Sequence, residues 1–323
     1  SAAKNFEALV DLIDEYPDMM MLCSDDKHPD SLVDGHINQL CARAVSKEKN
    51  IFHVLKAACI NPVLHYKLPT GTAEVGDPAN FIIVEDMTSF KVKQTYIKGQ
   101  LVAEEGKSLI PAITESVINL FDAAFISEKD IQIKQAQYPN NEEGKIPVIE
   151  AIDGQLITNC LWAAPKVKDN FLVSDTSSDI LKMVVYNRYF NAPPKMAFIK
   201  NFGFANGAIA STVAHDSHNI IAVGADDESI VKAINLVIAE KGGISCVNEA
   251  NHKVLGLPVA GLMSTEDPYK VADAYTQIDI MAKSLGSKLG SPFMTLSFMA
   301  LLVIPHLKLS DKGLFDGDQF KIF

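Results

Sequence analysis

Apolar positions over the first sixty residues fall mostly at helical spacing. Phe6, Leu9, Val10, Leu12 and Ile13 share one face of a helix predicted over 4–15, which Pro17 ends. Residues 19–23 (Met-Met-Met-Leu-Cys) form an unbroken apolar run of the kind found in buried strands. Helical spacing returns over 31–45, through Leu32, Ile37, Leu40, Cys41 and Val45, and again over 49–59, with Asn61-Pro62 as its stop. This order of helix, strand, helix, helix reads as the last unit of a βα barrel. From Gly71 the pattern becomes alternating. Residues 81–84, 90–97 and 101–102, punctuated by Gly99-Gln100, predict antiparallel strands with tight turns. A weaker helical pattern spans 112–128 and acts as a connection. Strand alternation resumes at 131–137, and 148–152 with 155–158 predict a hairpin around Asp153-Gly154. Further strands are predicted at 180–187, 196–201, 208–214 and 219–224. Residues 227–240 carry Ile230, Ala233, Ile234, Val237 and Ile238 on one helical face, closed by Gly242-Gly243. A last helix spans 268–285, from Asp267-Pro268 to Gly286. No internal repeat is visible.

Two polar segments interrupt this pattern. The first, Ser24-Asp25-Asp26-Lys27-His28-Pro29-Asp30, runs into Asp34-Gly35-His36 directly after the apolar 19–23 run. Adjacent carboxylates at a buried strand end are costly without a partner. In βα barrels that end of a strand is where catalytic groups sit, and a carboxylate there can bind a metal and move a proton. The alternative is that one carboxylate caps the following helix while the other is solvated. No obvious set of further metal ligands lies nearby. The second segment sets His215, Asp216, Ser217, His218 and Asn219 between two apolar strands. It reads either as a functional loop or as a turn in which Asp216 or Asn219 bonds its own backbone. His215 and His218 are three apart, but in strand and turn surroundings a metal pair is the lesser reading. Residues 257–264 are almost uniformly apolar and are expected to pack.

Composition narrows the partners. A chain of 323 residues allows two or three domains, and its net charge of −11 argues against nucleic acid. Its five cysteines show no CxxC spacing, which suggests reduced thiols in the cytoplasm. The apolar stretch at 298–305 is too short for a bilayer, and residues 1–16 do not form a signal peptide, so no membrane is expected. The H-x-E with P-C-x-x-C pattern of zinc deaminases, the P-loop and G-x-S-x-G are all absent from the sequence.

Taken together, residues 23–26, Pro29-Asp30, Gly35-His36, Asn61-Pro62 and 76–84 resemble the end of an amidohydrolase-superfamily barrel entering its small β-sandwich. Residues 214–224 and 257–264, with 292–298 and 309–314, resemble the C-terminal domain of the adenine deaminase family. The resemblance covers nearly the whole chain. It implies an α/β fold in three parts. These are the terminal strand and helices of a TIM-type barrel (1–68), part of a small β-sandwich with a connection (69–127), and a C-terminal α+β domain (128–323).

The activity implied is hydrolytic deamination of adenine to hypoxanthine and ammonia, in purine salvage and adenine catabolism, by a metal-bound hydroxide. The cofactor implied is a divalent metal: Mn, Fe or Zn. Asp25 matches the family's metal-binding aspartate and is its proton carrier. Asp26 is assigned to substrate binding or to orienting Asp25. His215, Asp216, Ser217 and His218 are assigned to substrate binding, by closing over the site, or to a subunit interface. A homo-oligomer is expected. The family's H-x-H pair, bridging carboxylate and further histidines are not among these residues, and Ser1–Asn5 resembles an internal stretch. The chain is therefore expected to be a C-terminal part lacking most of the barrel, inactive by itself. Two alternatives stand beside this reading: a non-catalytic binding or oligomerisation module, and part of another cyclic amidohydrolase acting on a hydantoin or dihydroorotate. The C-terminal segments argue against the second.

Overall fold

The computed structural model describes residues 5–113 and 116–323, which divide into two compact units, one ending at Ile113 and one carrying the rest. The fold is mixed α/β. Among the described residues no helix is long and apolar enough to cross a membrane. The predicted start of the first helix at Lys4 and positions 114–115 lie outside the described residues.

The first unit has a small helical core of Val10, Ile13, Cys41, Ala44, Val54 and Phe90. Its helices are shorter than the sequence pattern predicts. The first splits into Phe6–Leu9 and Leu12–Glu15. The 31–45 helix is two, Pro29–Asp34 and Ile37–Ser46, broken by Gly35 at φ +150°, where a Cβ would meet the Gln39 side chain at 2.8 Å. The stop at Asn61-Pro62 is overturned. A π-turn at Lys56–Ile60 leads from Ile51–Leu55 into Asn61–Tyr66, with Pro62 in the first turn, where its missing N–H costs little.

The 19–23 strand is overturned as well. Among the described residues no strand forms there: Met19 belongs to a turn, and 20–23 have no regular secondary structure. Its ties to the helices are the Leu22 N–H to the Ala57 carbonyl (3.0 Å) and the buried Asn61 amide to the Pro17 and Met20 carbonyls (2.7 Å each). The β region is a four-stranded antiparallel meander in chain order: Phe81–Val84, Val92–Ile97, Gln100–Glu104 and Lys107–Ser108.

The second unit is built on an eight-stranded sheet. Its order is His252–Gly256, Gly243–Val247, Ala208–Ser211, Ile220–Gly224, Ile180–Tyr186, Lys195–Lys200, Ile146–Ala151 and Thr158–Ala163. Only the contact between Lys195–Lys200 and Ile146–Ala151 is parallel. The central strands are apolar at nearly every position because both faces are covered. Ile230, Ala233, Ile234 and Val237 of helix Asp227–Ala239 pack on Val184, Ala208, Ala210, Ile220 and Ala222. On the opposite face, Leu181, Met183, Val185, Ile209, Ile221 and Val223 meet Ile278 and Met281 of helix Pro268–Ser284, Leu296, and the C-terminal hairpin residues Leu307 and Leu309. A hairpin is present around Asp153-Gly154, with Ala151 paired to Thr158, but its second strand is Thr158–Ala163 and not 155–158, so 152–157 form a longer connection than predicted.

Two predictions fail here. Residues 112–113 and 116–127 hold no helix. Their backbone bonds go to the domain instead: Ala260 N–H to the Ile118 carbonyl (2.7 Å), Asp122 N–H to the Arg188 carbonyl (2.7 Å), and Ile126 N–H to Asn235 Oδ1 (3.0 Å). The 131–137 strand shrinks to Ile133–Lys134 between two 3₁₀ turns, Glu128–Ile131 and Gln135–Gln137.

Among the described residues, two lysines are fully buried. Lys182 Nζ donates to Asp227 Oδ1 (2.6 Å) and Oδ2 (2.8 Å) and to the Ile131 carbonyl (3.2 Å), joining the sheet to the first turn of helix Asp227–Ala239. Among the described residues, Lys308 Nζ donates only to the carbonyls of Leu156 (2.7 Å) and Phe298 (3.1 Å). Burial drives its pKa down from 10.5 to about 7. Between about pH 7 and 10.5 the unfolded chain therefore holds a proton that the folded chain lacks, and stability rises with pH through that window. Comparing Lys308→Met with the parent by urea denaturation removes other titrations. The parent is expected to gain on the variant by about 1 kcal/mol per pH unit between pH 7.5 and 9.5. Parallel curves would mean that Lys308 keeps its ordinary pKa.

Candidate functional site

In the first unit, Asp25 sits at the end of the irregular 20–25 segment with φ +56°, a left-handed conformation that Asp and Asn tolerate better than most residues. Its carboxylate accepts the Asp26 N–H (2.7 Å). The N-cap position of the following helix is His28, whose side chain makes no cap. Both aspartates are exposed. The turn is braced from below: Ser24 Oγ lies 2.6 Å from His36 Nε2, and the Lys27 ammonium donates to the Gly35 carbonyl and to Gln39 Oε1 (3.3 Å). Asn38 Oδ1 accepts the His36 N–H (2.8 Å) while its amide donates to the Phe90 carbonyl (3.1 Å). The sequence DDKHPD…DGH thus folds into a framed loop that holds two carboxylates at its rim.

In the second unit, the 212–219 loop emerges at one end of the central sheet between Ala208–Ser211 and Ile220–Gly224. His215 stacks on Phe298, with ring centroids 4.7 Å apart and planes at 21°. Its N–H donates to the Ser297 carbonyl (2.9 Å). His218 meets His215 edge to face at 5.4 Å, and its N–H returns to the Ala214 carbonyl (2.7 Å). Asp216 and Ser217 are exposed. Asn219 does not bond its own backbone in an Asx turn; its Oδ1 accepts the Arg188 N–H from the neighbouring strand end (3.3 Å).

The 257–264 segment reaches the same end, where Thr212 Oγ1 donates to the Gly261 carbonyl (2.5 Å). So does the C-terminal hairpin turn, where Asn187 Nδ2 donates to Asp311 Oδ2 (2.9 Å). His215, Asp216, Ser217 and His218 are therefore together on one loop, alongside the two C-terminal segments on which the family resemblance rests.

The residues that sequence reasoning missed are Asn187, Arg188 and Tyr189. Arg188 is one of only two arginines in the chain, and it directly follows Asn187 and a strand that is apolar except at Lys182. That was the available signal. Among the described residues no three His, Cys, Asp or Glu side chains converge as a metal site would require.

Comparison with known proteins supplies what this geometry does not. The family described as Adenine deaminase C-terminal domain matches residues 155–321, more than half of the chain. The chain belongs to the adenine deaminase family. The family described as Amidohydrolase family matches residues 1–102. An adenine deaminase of Methanosarcina barkeri is 50% identical over 99% of this chain and 59% of its own length. Those of Salinibacter ruber and Borreliella burgdorferi are 47% and 48% identical, each over 99% of this chain and 58% of their own length. The chain thus spans about three fifths of the length of the curated adenine deaminases it matches. The adenine deaminase C-terminal domain match takes in the 187–189 turn, the 212–219 loop and the 257–264 segment, and the amidohydrolase match takes in Asp25 and Asp26.

Proposed function

We propose that a full-length protein carrying this chain hydrolyses adenine to hypoxanthine and ammonia. The observation that carries this reading is the 47–50% identity to proteins named adenine deaminase along 99% of the chain. In this reading Asp25 is the proton carrier. Its carboxylate takes a proton from water as the water oxygen bonds to the carbon bearing the amino group and the π pair of that carbon's ring C=N bond moves onto the ring nitrogen. It gives the proton to the amino nitrogen as the exocyclic carbon–nitrogen bond breaks, the ring pair returns and ammonia leaves, and the proton left on oxygen passes to the ring nitrogen to give hypoxanthine. Its exposure at the rim of a braced loop suits that task. Asp26 hydrogen-bonds the purine or orients Asp25. His215, Asp216, Ser217 and His218 contact the substrate, the loop being anchored through Phe298 and Asn219.

A divalent metal, Mn, Fe or Zn, belongs to this reading with Asp25 among its ligands. The described residues do not fit a complete site for it, because no three candidate ligands converge. For the same reason the 323-residue chain alone is inactive in this reading. Residues 1–68 would be the terminal part of a TIM-type barrel, 69–127 a β-sandwich segment with a connection, and 128–323 the family's C-terminal domain. The protein would be a cytoplasmic homo-oligomer of purine salvage.

The loop assignment is tested by His215→Gln and His218→Gln, made separately in the full-length protein. Each is expected to lower adenine turnover by about tenfold or more, with a melting temperature within a few degrees of the parent. Full turnover in both would take the loop out of the site.

A further inference from the structure

We propose that Arg188 is the positioning residue that clamps the 215–219 loop against the 258–261 turn, and so sets where His215 and His218 stand. The proposal rests on the reading that this loop serves deamination. Arg188 is 4% exposed, and among the described residues no carboxylate pairs with it. Its charge is held by neutral acceptors from separate segments instead. Nη1 donates to Asn119 Oδ1 (3.1 Å), and Nη2 donates to the Ala260 carbonyl (2.7 Å) and to Tyr189 Oη (3.0 Å). The guanidinium carbon lies over the Tyr189 ring, 4.5 Å from its centroid.

The same residue and its neighbour hold the loop. The Arg188 N–H donates to Asn219 Oδ1 (3.3 Å), and Tyr189 Oη donates to the Ser217 carbonyl (2.7 Å). The facing turn is shaped to admit the guanidinium. Gly261 has φ +69°, and a Cβ there would lie 2.4 Å from Arg188 Nη1. A general core position would be filled more cheaply by an apolar side chain, since burying an unpaired cation is costly. A planar fork with several donors on one rigid plane can address Asn119, Ala260 and Tyr189 at once. Lysine, a single point donor, cannot.

The test is Arg188→Lys, read in two ways. Amide hydrogen exchange of the 323-residue chain at 214–219 and 258–262 is expected to speed up by about tenfold or more, with Ile180–Tyr186 and Asp227–Ala239 still protected. In the full-length protein kcat is expected to fall by up to about 10²-fold, with KM changed far less, as for a misplaced group. Faster exchange in the loops with kcat unchanged supports the clamp and removes the loop from the reaction. Unchanged loop exchange overturns the clamp whatever the activity, and so does protection lost evenly across the domain. Should Arg188→Lys fail to fold, Tyr189→Phe removes the Ser217 bond and the hydroxyl that Arg188 Nη2 meets, and leaves the Arg188–Ala260 bond in place. It is expected to speed exchange around 217 and leave 258–262 unaltered; no change at 217 overturns the proposal.

Discussion

Asp25→Asn is expected to lower adenine turnover of a full-length protein carrying this chain by about 10²-fold or more. Its unfolding free energy is expected to stay within about 0.5 kcal/mol of the parent. The two expectations separate because of where Asp25 sits. It is exposed, and its φ of +56° suits asparagine, so the substitution neither opens a cavity nor strains the backbone. The amide can still accept the Asp26 N–H that the carboxylate accepts now. What it loses is the negative charge and the capacity to take up a proton. Asp26→Asn is expected to cost less. Steady-state ammonia release checks both, and an Asp25→Asn protein keeping more than a tenth of parental turnover would remove Asp25 from the chemistry.

The largest expected change in stability belongs to the Lys182–Asp227 pair. Asp227→Ala is expected to cost about 3–5 kcal/mol in urea denaturation, because it strands a fully buried ammonium. Burial already pushes Lys182 below its ordinary pKa and Asp227 above its own, each opposed by its partner's charge. Lys182→Met is expected to cost less, since the Asp227 side chain keeps 19% exposure and can be hydrated. The double variant is expected to recover most of the Asp227→Ala loss. An Asp227→Ala protein within about 0.5 kcal/mol of the parent would show that the pair contributes nothing net.

The features legible in the sequence were those whose apolar pattern is satisfied locally. Ile230, Ala233, Ile234 and Val237 mark helix Asp227–Ala239 because that stripe meets the sheet directly. Strands Ile180–Tyr186 and Ile220–Gly224 were legible because both faces are covered and nearly every position is apolar. Elements whose partners are distant were misread. The 19–23 run has a strand's composition but forms no strand among the described residues. The 112–128 pattern has helical spacing, yet Ile118 and Leu120 stay exposed while the backbone bonds to Ala260, Arg188 and Asn235.

The 212–219 loop was legible as a polar interruption between apolar strands. Its proposed clamp was not, because Arg188 makes its contacts to Asn119 and Ala260, 69 and 72 positions away. No local pattern records such distances.

The measurement that bears most directly on the whole reading is ammonia release from adenine by a full-length protein carrying this chain, supplied with Mn²⁺, Fe²⁺ or Zn²⁺. A hydantoin and dihydroorotate are assayed alongside for hydrolysis, and the 323-residue chain alone is assayed in parallel. The expected result is ammonia from adenine with the full-length protein, no hydrolysis of the two cyclic amides, and no ammonia from the chain alone. Turnover of a hydantoin or dihydroorotate without release from adenine would contradict the assignment.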